Sequence, residues 1–207
     1  MLDDIDKKDL RLLAELDSNS RQSFTRIGKT IGLSKEVVKY RYDQLLDKGI
    51  FSHSYPLIDT YKLGYLIHIV WIKFHNTSRE DELSFIEHLK NSSNVGVIVE
   101  LYGNFDLVFG IWAENVVEFK KRYDKIVGGY SRFVKEQKVT TEINCNYLSL
   151  NFIYEKHIKN ILIGNELVNS SIDDIDKSVL KELAKNAREP VVKIANTLEL
   201  NSNTVIN

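Results

Sequence analysis

A cluster of basic side chains lies in one short stretch of an otherwise neutral chain. Residues 21–48 contain seven lysines and arginines against three acidic residues, a local formal charge of +4, whereas the whole chain carries −1. Cations gathered on one face suit contact with DNA phosphates, while a few neighbouring side chains reach base edges in the major groove. The alternative is that these charges only solvate a surface helix. The candidate DNA contacts are Arg21, Ser34, Lys35, Glu36, Lys39, Tyr40, Arg41 and Lys48.

A second candidate site surrounds Gly103. Glycine serves a tight turn between two strands, and Asp106 follows at a spacing that can aim its carboxylate at the ammonium group of a ligand. The alternative is a hairpin glycine followed by an aspartate that only caps the turn. The candidate effector contacts are Tyr102, Gly103, Asn104 and Asp106.

The residue types that enzymes use for metal binding or nucleophilic attack are scattered along the chain. Cys145, the single cysteine, has no neighbouring cysteine or histidine, so neither a zinc site nor a thiol nucleophile is predicted. The histidines, which also lack the spacing of metal ligands, are His53, His68, His75, His88 and His157. We therefore expect no enzyme activity, no catalytic residue, no metal and no cofactor.

The composition indicates a globular protein of the cytoplasm. With 43% hydrophobic and 28% charged residues, the chain differs from both disordered and membrane proteins. Its most apolar stretch, residues 64–74, is interrupted by charge and is far shorter than the ~20 residues of a membrane-spanning helix. The lone cysteine cannot form an intramolecular disulfide, and acidic residues follow Met1 where a secretory leader would be basic and apolar.

Three short helices are predicted to position the basic cluster. Leucines at helical spacing indicate the first helix, while Ser23 and Ser34 are placed to cap the second and third. A turn at Gly32 joins the last two helices, which is the layout of a helix-turn-helix. Residues 50–58 mix β-branched and aromatic residues with Pro56, a composition that predicts a short hairpin, or wing, with an edge strand. The side chains expected to face the core from the third helix are Val38, Tyr42, Leu45 and Leu46.

From Gly64 onward, patterns typical of strands and helices alternate. The predicted elements are a strand over 66–74, a helix opened by a capping box at Thr77–Glu80 and carrying Leu83, Phe85, Ile86 and Leu89, strands over 95–101 and 105–112, a helix over 116–127 and a strand over 134–143. This β-α-β-β-α-β order is the ferredoxin-like arrangement. A further strand is predicted over residues 147–153. The fold class is therefore α+β.

The end of the chain repeats its beginning. Asp173–Lys177 copies Asp3–Lys7, and after a shift of three residues the later apolar and arginine positions also match. We interpret the shift as a first helix that is one turn longer in the first copy. The second copy stops at Asn207, a few residues into its third helix, so a partial helix-turn-helix is predicted. The predicted domains are a winged helix-turn-helix (1–62), a ferredoxin-like effector and oligomerisation domain (63–154), a linker (155–171) and a partial second helix-turn-helix (172–207).

Together these motifs resemble the Lrp/AsnC family of transcription regulators. The residues that carry the resemblance are Leu2–Asp6, Arg21, Gly32–Ser34, Arg41, Lys48–Ile50 and Tyr102–Asp106. The resemblance implies a sequence-specific regulator that binds double-stranded DNA and forms a homodimer or higher homo-oligomer through its ferredoxin-like (AsnC/RAM-type) domain. It also implies an effector, often an amino acid, near the Gly103 hairpin. No membrane partner is expected, because the most apolar stretch is too short to span a bilayer. Two alternatives stay open: a tetrapyrrole (sirohaem) decarboxylase on the same architecture, and a DNA-free ligand-binding adaptor.

Overall fold

The structure, a computed structural model, describes residues 5–149, 160–164 and 172–206. They form two compact units. The first contains the described residues of 1–58, 146–161 and 172–207, and the second contains those of 59–145 and 162–171. The C-terminal helices thus belong to the same unit as the N-terminal ones, a grouping that the sequence does not predict.

Three helices begin the first unit. α1 spans Lys7–Ser18, α2 spans Phe24–Ile31 and α3 spans Lys35–Asp47. A capping box opens α1: the carboxylate of Asp6 accepts from the amide of Asp9, whose carboxylate accepts in return from the amide of Asp6. Because the first amides of a helix have no partner within the helix, each of these bonds stabilises the first turn of α1.

The turn between α2 and α3 depends on capping serines and on glycine. Ser23 and Ser34 cap α2 and α3 as predicted, each accepting a hydrogen bond from an amide in the first turn. Gly32 has a φ of +71°, in the left-handed region that favours glycine. At Gly28, a Cβ atom would stand 2.5 Å from the carbonyl oxygen of Leu33. A side chain at Gly28 would therefore push this turn away from α2.

A small apolar core holds the three helices together. Val38 on α3 is fully buried and Leu45, two turns later, is nearly so. Tyr42, between them, packs its ring against that of Phe24, with 5.2 Å between the ring centroids. These contacts agree with the predicted inward face of α3. The buried members of this core are Leu12, Leu16, Ile27, Ile31, Val38 and Leu45.

The predicted wing is absent: residues 50–58 contain no strand. Two backbone amides at its start, those of Ile50 and Phe51, donate to the carbonyl of Leu45 and so complete the end of α3. Pro56 has no amide proton to offer. The segment therefore lacks donors that a hairpin ladder would need, and the prediction of a short hairpin with an edge strand was wrong.

Three further helices complete the first unit. α6 spans Asp174–Lys185, α7 spans Val191–Thr197 and α8 spans Ser202–Ile206. α6 and α1 are both 12 residues long, and Asp173 caps α6 through the same capping box that Asp6 forms at α1. The predicted three-residue shift and longer first helix were therefore wrong. When the capping residues Asp6 and Asp173 are aligned, the two copies align without a gap. The similar segments Asp3–Lys7 and Asp173–Lys177 are displaced from this alignment by three residues, about one helical turn.

The C-terminal helices thus repeat the N-terminal ones residue by residue. We call residues 5–39 copy one and residues 172–206 copy two. The correspondence extends to the backbone of the turn, where Glu199 replaces Gly32 and also has a positive φ, of +56°. Copy two therefore keeps the backbone path of copy one even where its residue type does not favour it.

The second unit has the predicted β-α-β-β-α-β order. Its elements are β1 (Leu66–Phe74), α4 (Arg79–Lys90), β2 (Val95–Glu100), β3 (Leu107–Ala113), α5 (Val116–Val127) and β4 (Val134–Thr141), with short 3-10 helices at Thr60–Lys62 and Gly128–Phe133. The strands form an antiparallel sheet in the order β2-β3-β1-β4. This is the ferredoxin-like topology, in which both helices cover one face of the sheet.

The core of this unit lies between the sheet and its helices. Val70 of central strand β1 stands opposite Phe109 of β3 and Val139 of β4. Val70 and Phe109 are fully buried, because they face α4 and α5. From α4, Phe85 packs edge-on against Phe109, with 6.0 Å between ring centroids. α5 contributes Phe119 to the same core.

One detail of this unit differs from the sequence prediction. The capping box of α4 begins at Ser78 rather than at Thr77, because the carboxylate of Asp81 accepts from both the amide and the hydroxyl of Ser78. Of the apolar residues that α4 carries, Phe85, Ile86 and Leu89 are buried and Leu83 is exposed.

Two short strands form a separate sheet. β5 spans Asn144–Tyr147 and pairs with β6, Ile161–Gly164. β6 lies within the segment predicted to be a linker, so that part of the prediction was wrong; its apolar, β-branched residues suit a strand. The rest of the predicted linker, and residues 150–153 of the strand predicted over 147–153, lie outside the described residues.

Substitution Val38→Asp is expected to unfold the first unit, because an unpaired carboxylate would enter its small core. The expected loss is about 3 kcal/mol of unfolding free energy. Val37→Asp is the matched control, since Val37 is the neighbouring residue but 39% exposed. It should change the unfolding free energy by less than about 1 kcal/mol. Equal stability of the two variants in urea denaturation would show that the faces of α3 are assigned the wrong way round.

Candidate nucleic-acid interface and effector loop

α3 presents one exposed polar face. Lys35, Glu36, Lys39 and Tyr40 are all exposed, Tyr40 to 64%. Their spacing of one, three and four residues places them on adjoining positions of one helix face. Ser34 caps the same helix. The predicted contacts Ser34, Lys35, Glu36, Lys39 and Tyr40 are therefore together at the first two turns of α3, where recognition helices contact base edges.

The charges on this face are only weakly held. Lys39 contacts Asp43 one turn later, with 2.5 Å between Nζ and Oδ2, and both side chains are about half exposed. An exposed pair of this kind contributes only about 0.3–0.5 kcal/mol, so a phosphate can replace the carboxylate. At the start of α3, hydrogen bonds from its own amide and from Ser34 lower the pKa of Glu36. Glu36 therefore carries its charge at neutral pH and contributes an acceptor beside Lys35.

Arg41 faces the other way. Its guanidinium contacts Asp9 at 2.7 Å and Asp6 at 2.8 Å, which are the two members of the capping box of α1. The hydrogen bond that Arg41 donates to Asp9 contributes most to raising the pKa of Arg41. This network fastens α3 to the first turn of α1, and DNA contact by Arg41 stays a prediction.

Arg21 and Lys48 also lie apart from the exposed face of α3. Arg21 donates to the carbonyl oxygens of Ala187 and Glu189, both in copy two. Lys48 is exposed and provides the C-cap of α3, its amide donating to the carbonyl of Gln44. The eight predicted DNA contacts are therefore divided between one helix face and three separate positions.

Asp106 fixes the loop that follows β2. One carboxylate oxygen contacts Nζ of Lys73 at 2.6 Å, and the other accepts from the amide of Phe74 at 2.9 Å. Lys73 also donates to the carbonyl of Gly103 at 3.1 Å. Gly103 has a φ of +148°. Asp106 thus caps the end of β1, and effector contact by its carboxylate stays a prediction.

The loop also has accessible groups. Tyr102 and Asn104 are exposed, and the ion pair between Lys73 and Asp106 is about one-third exposed. Lys73 was not among the predicted site residues. Its signal was present, because a lysine near the end of an otherwise apolar strand needs either solvent or an acidic partner.

The described residues contain no cluster of three or more histidine, cysteine or acidic side chains that could hold a metal ion. His68 is buried: its Nδ1 is 3.0 Å from Oγ1 of Thr141, and its ring stacks on Phe119. Burial lowers the pKa of His68, so it is a neutral core residue at neutral pH. Among the helices of the described ranges, none is long and apolar enough to span a bilayer.

Comparison with known proteins identifies the N-terminal helices. Residues 5–46 match the AsnC-type helix-turn-helix domain. The uncharacterized HTH-type transcriptional regulator PH1055 of Pyrococcus horikoshii is 32% identical over 140 residues, which cover 65% of this chain and 84% of that protein. LrpA of the same organism is 32% identical over 111 residues, covering 54% of this chain and 77% of LrpA.

Solved structures share the fold. An AsnC family transcriptional regulator from Agrobacterium tumefaciens aligns with a TM-score of 0.61 at 17% identity, covering 67% of this chain and 90% of that one. The transcriptional regulator NMB0573 of Neisseria meningitidis, solved as a complex with L-Met, aligns with a TM-score of 0.58 at 18% identity, covering 67% and 89%. The matched helices, the relatives and the shared fold together show that this chain belongs to the Lrp/AsnC family of HTH-type transcriptional regulators.

Proposed function

We propose that this protein regulates transcription by placing α3 in the major groove of double-stranded DNA. The observation that carries the proposal is the exposed face of α3, where Lys35 and Lys39 flank Glu36 and Tyr40 opposite a buried Val38. Lysines on this face neutralise phosphates, while Glu36 and Tyr40 supply an acceptor and a hydroxyl for base edges. The local charge supports association with DNA despite the near-neutral chain.

Replacing Lys35 or Lys39 by alanine is expected to weaken DNA binding and to lower its dependence on salt. Each lost phosphate contact should reduce the slope of log K against log salt by about 0.9. Fluorescence anisotropy of a selected operator at several salt concentrations measures both effects.

Lys120→Ala is the matched control for Lys39→Ala. Lys120 pairs with Asp124 four residues later at 2.5 Å on the exposed face of α5, as Lys39 does with Asp43 on α3. This control should leave both affinity and slope unchanged. Wild-type binding by a double variant lacking both Lys35 and Lys39 would contradict the placement of α3 and favour the DNA-free adaptor.

We further propose that the outer face of the sheet forms the homo-oligomer. The helices cover one face of the sheet. The other face carries Ile67, Ile69 and Trp71 of β1 and, across β3, Val97 and Val99 of β2. The β2 valines are 39% and 43% exposed in the single chain. A contiguous apolar face of this kind is typical of a protein interface, and pairing it with its own copy gives a two-fold dimer. Two helix-turn-helix units then read half-sites about 34 Å, or a multiple of it, apart.

Val99→Lys is expected to convert the oligomer into a smaller species, because each interface would bury two like charges. Light scattering should give a lower molar mass than for the wild-type protein. Val116→Lys is the control, since Val116 is 69% exposed at the start of α5, away from the sheet face. An unchanged mass for folded Val99→Lys would assign assembly to another surface.

The effector proposed for this regulator is an amino acid bound at the loop of residues 101–106. The pair of Lys73 and Asp106 presents a cation and an anion 2.6 Å apart, and a free amino acid carries the complementary carboxylate and ammonium groups. Tyr102 and Asn104 stand exposed beside the pair. The complex of NMB0573 with L-Met supports an amino acid as the ligand class. A cytoplasmic regulator would meet such ligands directly.

A panel of L-amino acids, including L-methionine, is expected to contain at least one that raises the thermal midpoint of the wild-type protein. A ligand present at one hundred times its Kd adds about 2.7 kcal/mol to the stability of the folded state. Asp106→Asn should abolish the shift. Glu114→Gln, which alters an ion pair with Arg122 beyond the other end of β3, should keep it. No shift with any amino acid would contradict this effector class.

A further inference from the structure

Copies one and two present equivalent arginines in the same way. Arg21 and Arg188 occupy corresponding positions, each two residues after an asparagine that ends the first helix of its copy. The side-chain oxygens of Asn19 and Asn186 accept from the amides of Arg21 and Arg188, both at 3.0 Å. Each arginine is thus placed by the same local turn.

These arginines exchange hydrogen bonds across the two copies. Arg21 donates to the carbonyls on either side of Arg188: to Ala187, and to Glu189 at 3.3 Å. Arg188 in turn donates to the carbonyls on either side of Arg21: to Ser20, and to Gln22 at 3.3 Å. In both directions, Nη1 of one arginine donates to the two carbonyl oxygens that flank the other arginine. This reciprocity is typical of a contact between two copies related by a two-fold axis.

The surroundings compensate the repulsion between the two guanidinium groups. Arg188 lies over the rings of Phe24 and Tyr42, with 4.8 and 5.3 Å from its Cζ to the ring centroids. Aromatic faces and carbonyl oxygens both attract a cation. Burial lowers the pKa of Arg188, and the charge of Arg21 acts in the same direction. A further bond joins the copy-two segment to residues after α3, from the amide of Ala187 to the carbonyl of Ser54 at 2.9 Å.

Copy two lacks the basic face of copy one. The positions of Lys35, Glu36 and Lys39 are taken by Ser202, Asn203 and Ile206. Over residues 172–206, five basic side chains stand against six acidic ones, which leaves a formal charge of −1. A surface of this charge gains nothing from contact with phosphate. Copy two therefore keeps the shape of a helix-turn-helix and the pairing arginine, but has no counterpart of the charged residues Lys35, Glu36 and Lys39.

We propose that copy two is DNA-silent, meaning that it does not contact DNA, and that it pairs with copy one in an internal pseudo-dimer. The reciprocal hydrogen bonds of Arg21 and Arg188 hold this pair together. Arg21 is then a positioning residue rather than a phosphate contact. The occupant of this surface of copy one is the C-terminal segment 172–206. The pairing stands on geometry alone, whereas its DNA-silent character rests on the proposed function of α3.

Hydrogen exchange of the full-length protein tests the pairing without DNA. Arg21→Ala is expected to speed exchange at the amide of Ala187, in the other copy, about tenfold, because the segment loses bonds to a charged donor. The amide of Ile27, inside α2, should keep its protection. Arg26→Ala, which removes an exposed arginine from α2, is the control and should change neither amide.

Two results with Arg21→Ala would overturn the pairing. One is wild-type protection of Ala187 in folded Arg21→Ala. The other is equal loss of protection at Ala187 and Ile27, which would mean that Arg21 supports the fold of copy one instead. Arg188→Ala supplies the reciprocal test, since it should release the same contact from the opposite side, and wild-type exchange at Ala187 in that variant also contradicts the proposal.

Salt dependence of DNA binding tests the role of Arg21. Arg21→Ala should leave the slope of log K against log salt unchanged, whereas Lys35→Ala should lower it by about 0.9. An equal reduction in both variants would make Arg21 a phosphate contact and overturn its assignment. If the protein fails to bind DNA at all, the proposed function is lost while the exchange experiment still decides the pairing.

Discussion

Burial of Val38 and Leu45 determines which side of α3 meets solvent. The two residues lie seven apart, so the same helix face returns to the core after two turns. Once that face is buried, Lys35, Glu36 and Lys39 must point outward together. The contacts of Arg41 with the capping box of α1 then fix α3 along its length. A small core and one ion-pair network therefore set the direction of the side chains that we propose to face DNA.

The second unit is organised by a similar constraint on β1. β1 lies between β3 and β4 in the sheet. Because side chains alternate along a strand, every second residue of β1 faces the helices and the residues between them face the opposite side. Val70 faces the helices and Trp71 faces the opposite side, where its indole donates to Thr140 at 3.3 Å. On the same outer side, Trp112 covers the backbone of Gly96, where a Cβ would lie 1.8 Å from its ring. The helix-free face is thus shaped by packed aromatic residues.

Local signals in the sequence predicted the regular elements well. The caps Ser23 and Ser34, strand β1 and helix α5 follow from residue type and periodicity, which act within a few residues. The absence of the wing could not be predicted from local composition, because it depends on the amides of Ile50 and Phe51, which donate to the carbonyl of Leu45 at the end of α3. Nor could the partners of Arg41 and Lys73 be identified, since both depend on residues more than thirty positions away. The internal repeat was detectable in the sequence, but similarity of residue types alone gave the wrong alignment of its first helix. The helix caps Asp6 and Asp173 in the structure give the correct one.

The positive φ of Glu199 has a consequence for the order in which the protein acquires its structure. A left-handed conformation at a residue other than glycine costs about 1 kcal/mol or more, so the turn of copy two is less stable by itself than that of copy one. α6 has no fully buried residue either, whereas α1 has several. During synthesis the N-terminal helices leave the ribosome first. Copy two is synthesised after copy one has formed a surface that matches its own fold. Copy one therefore serves as the template on which copy two folds.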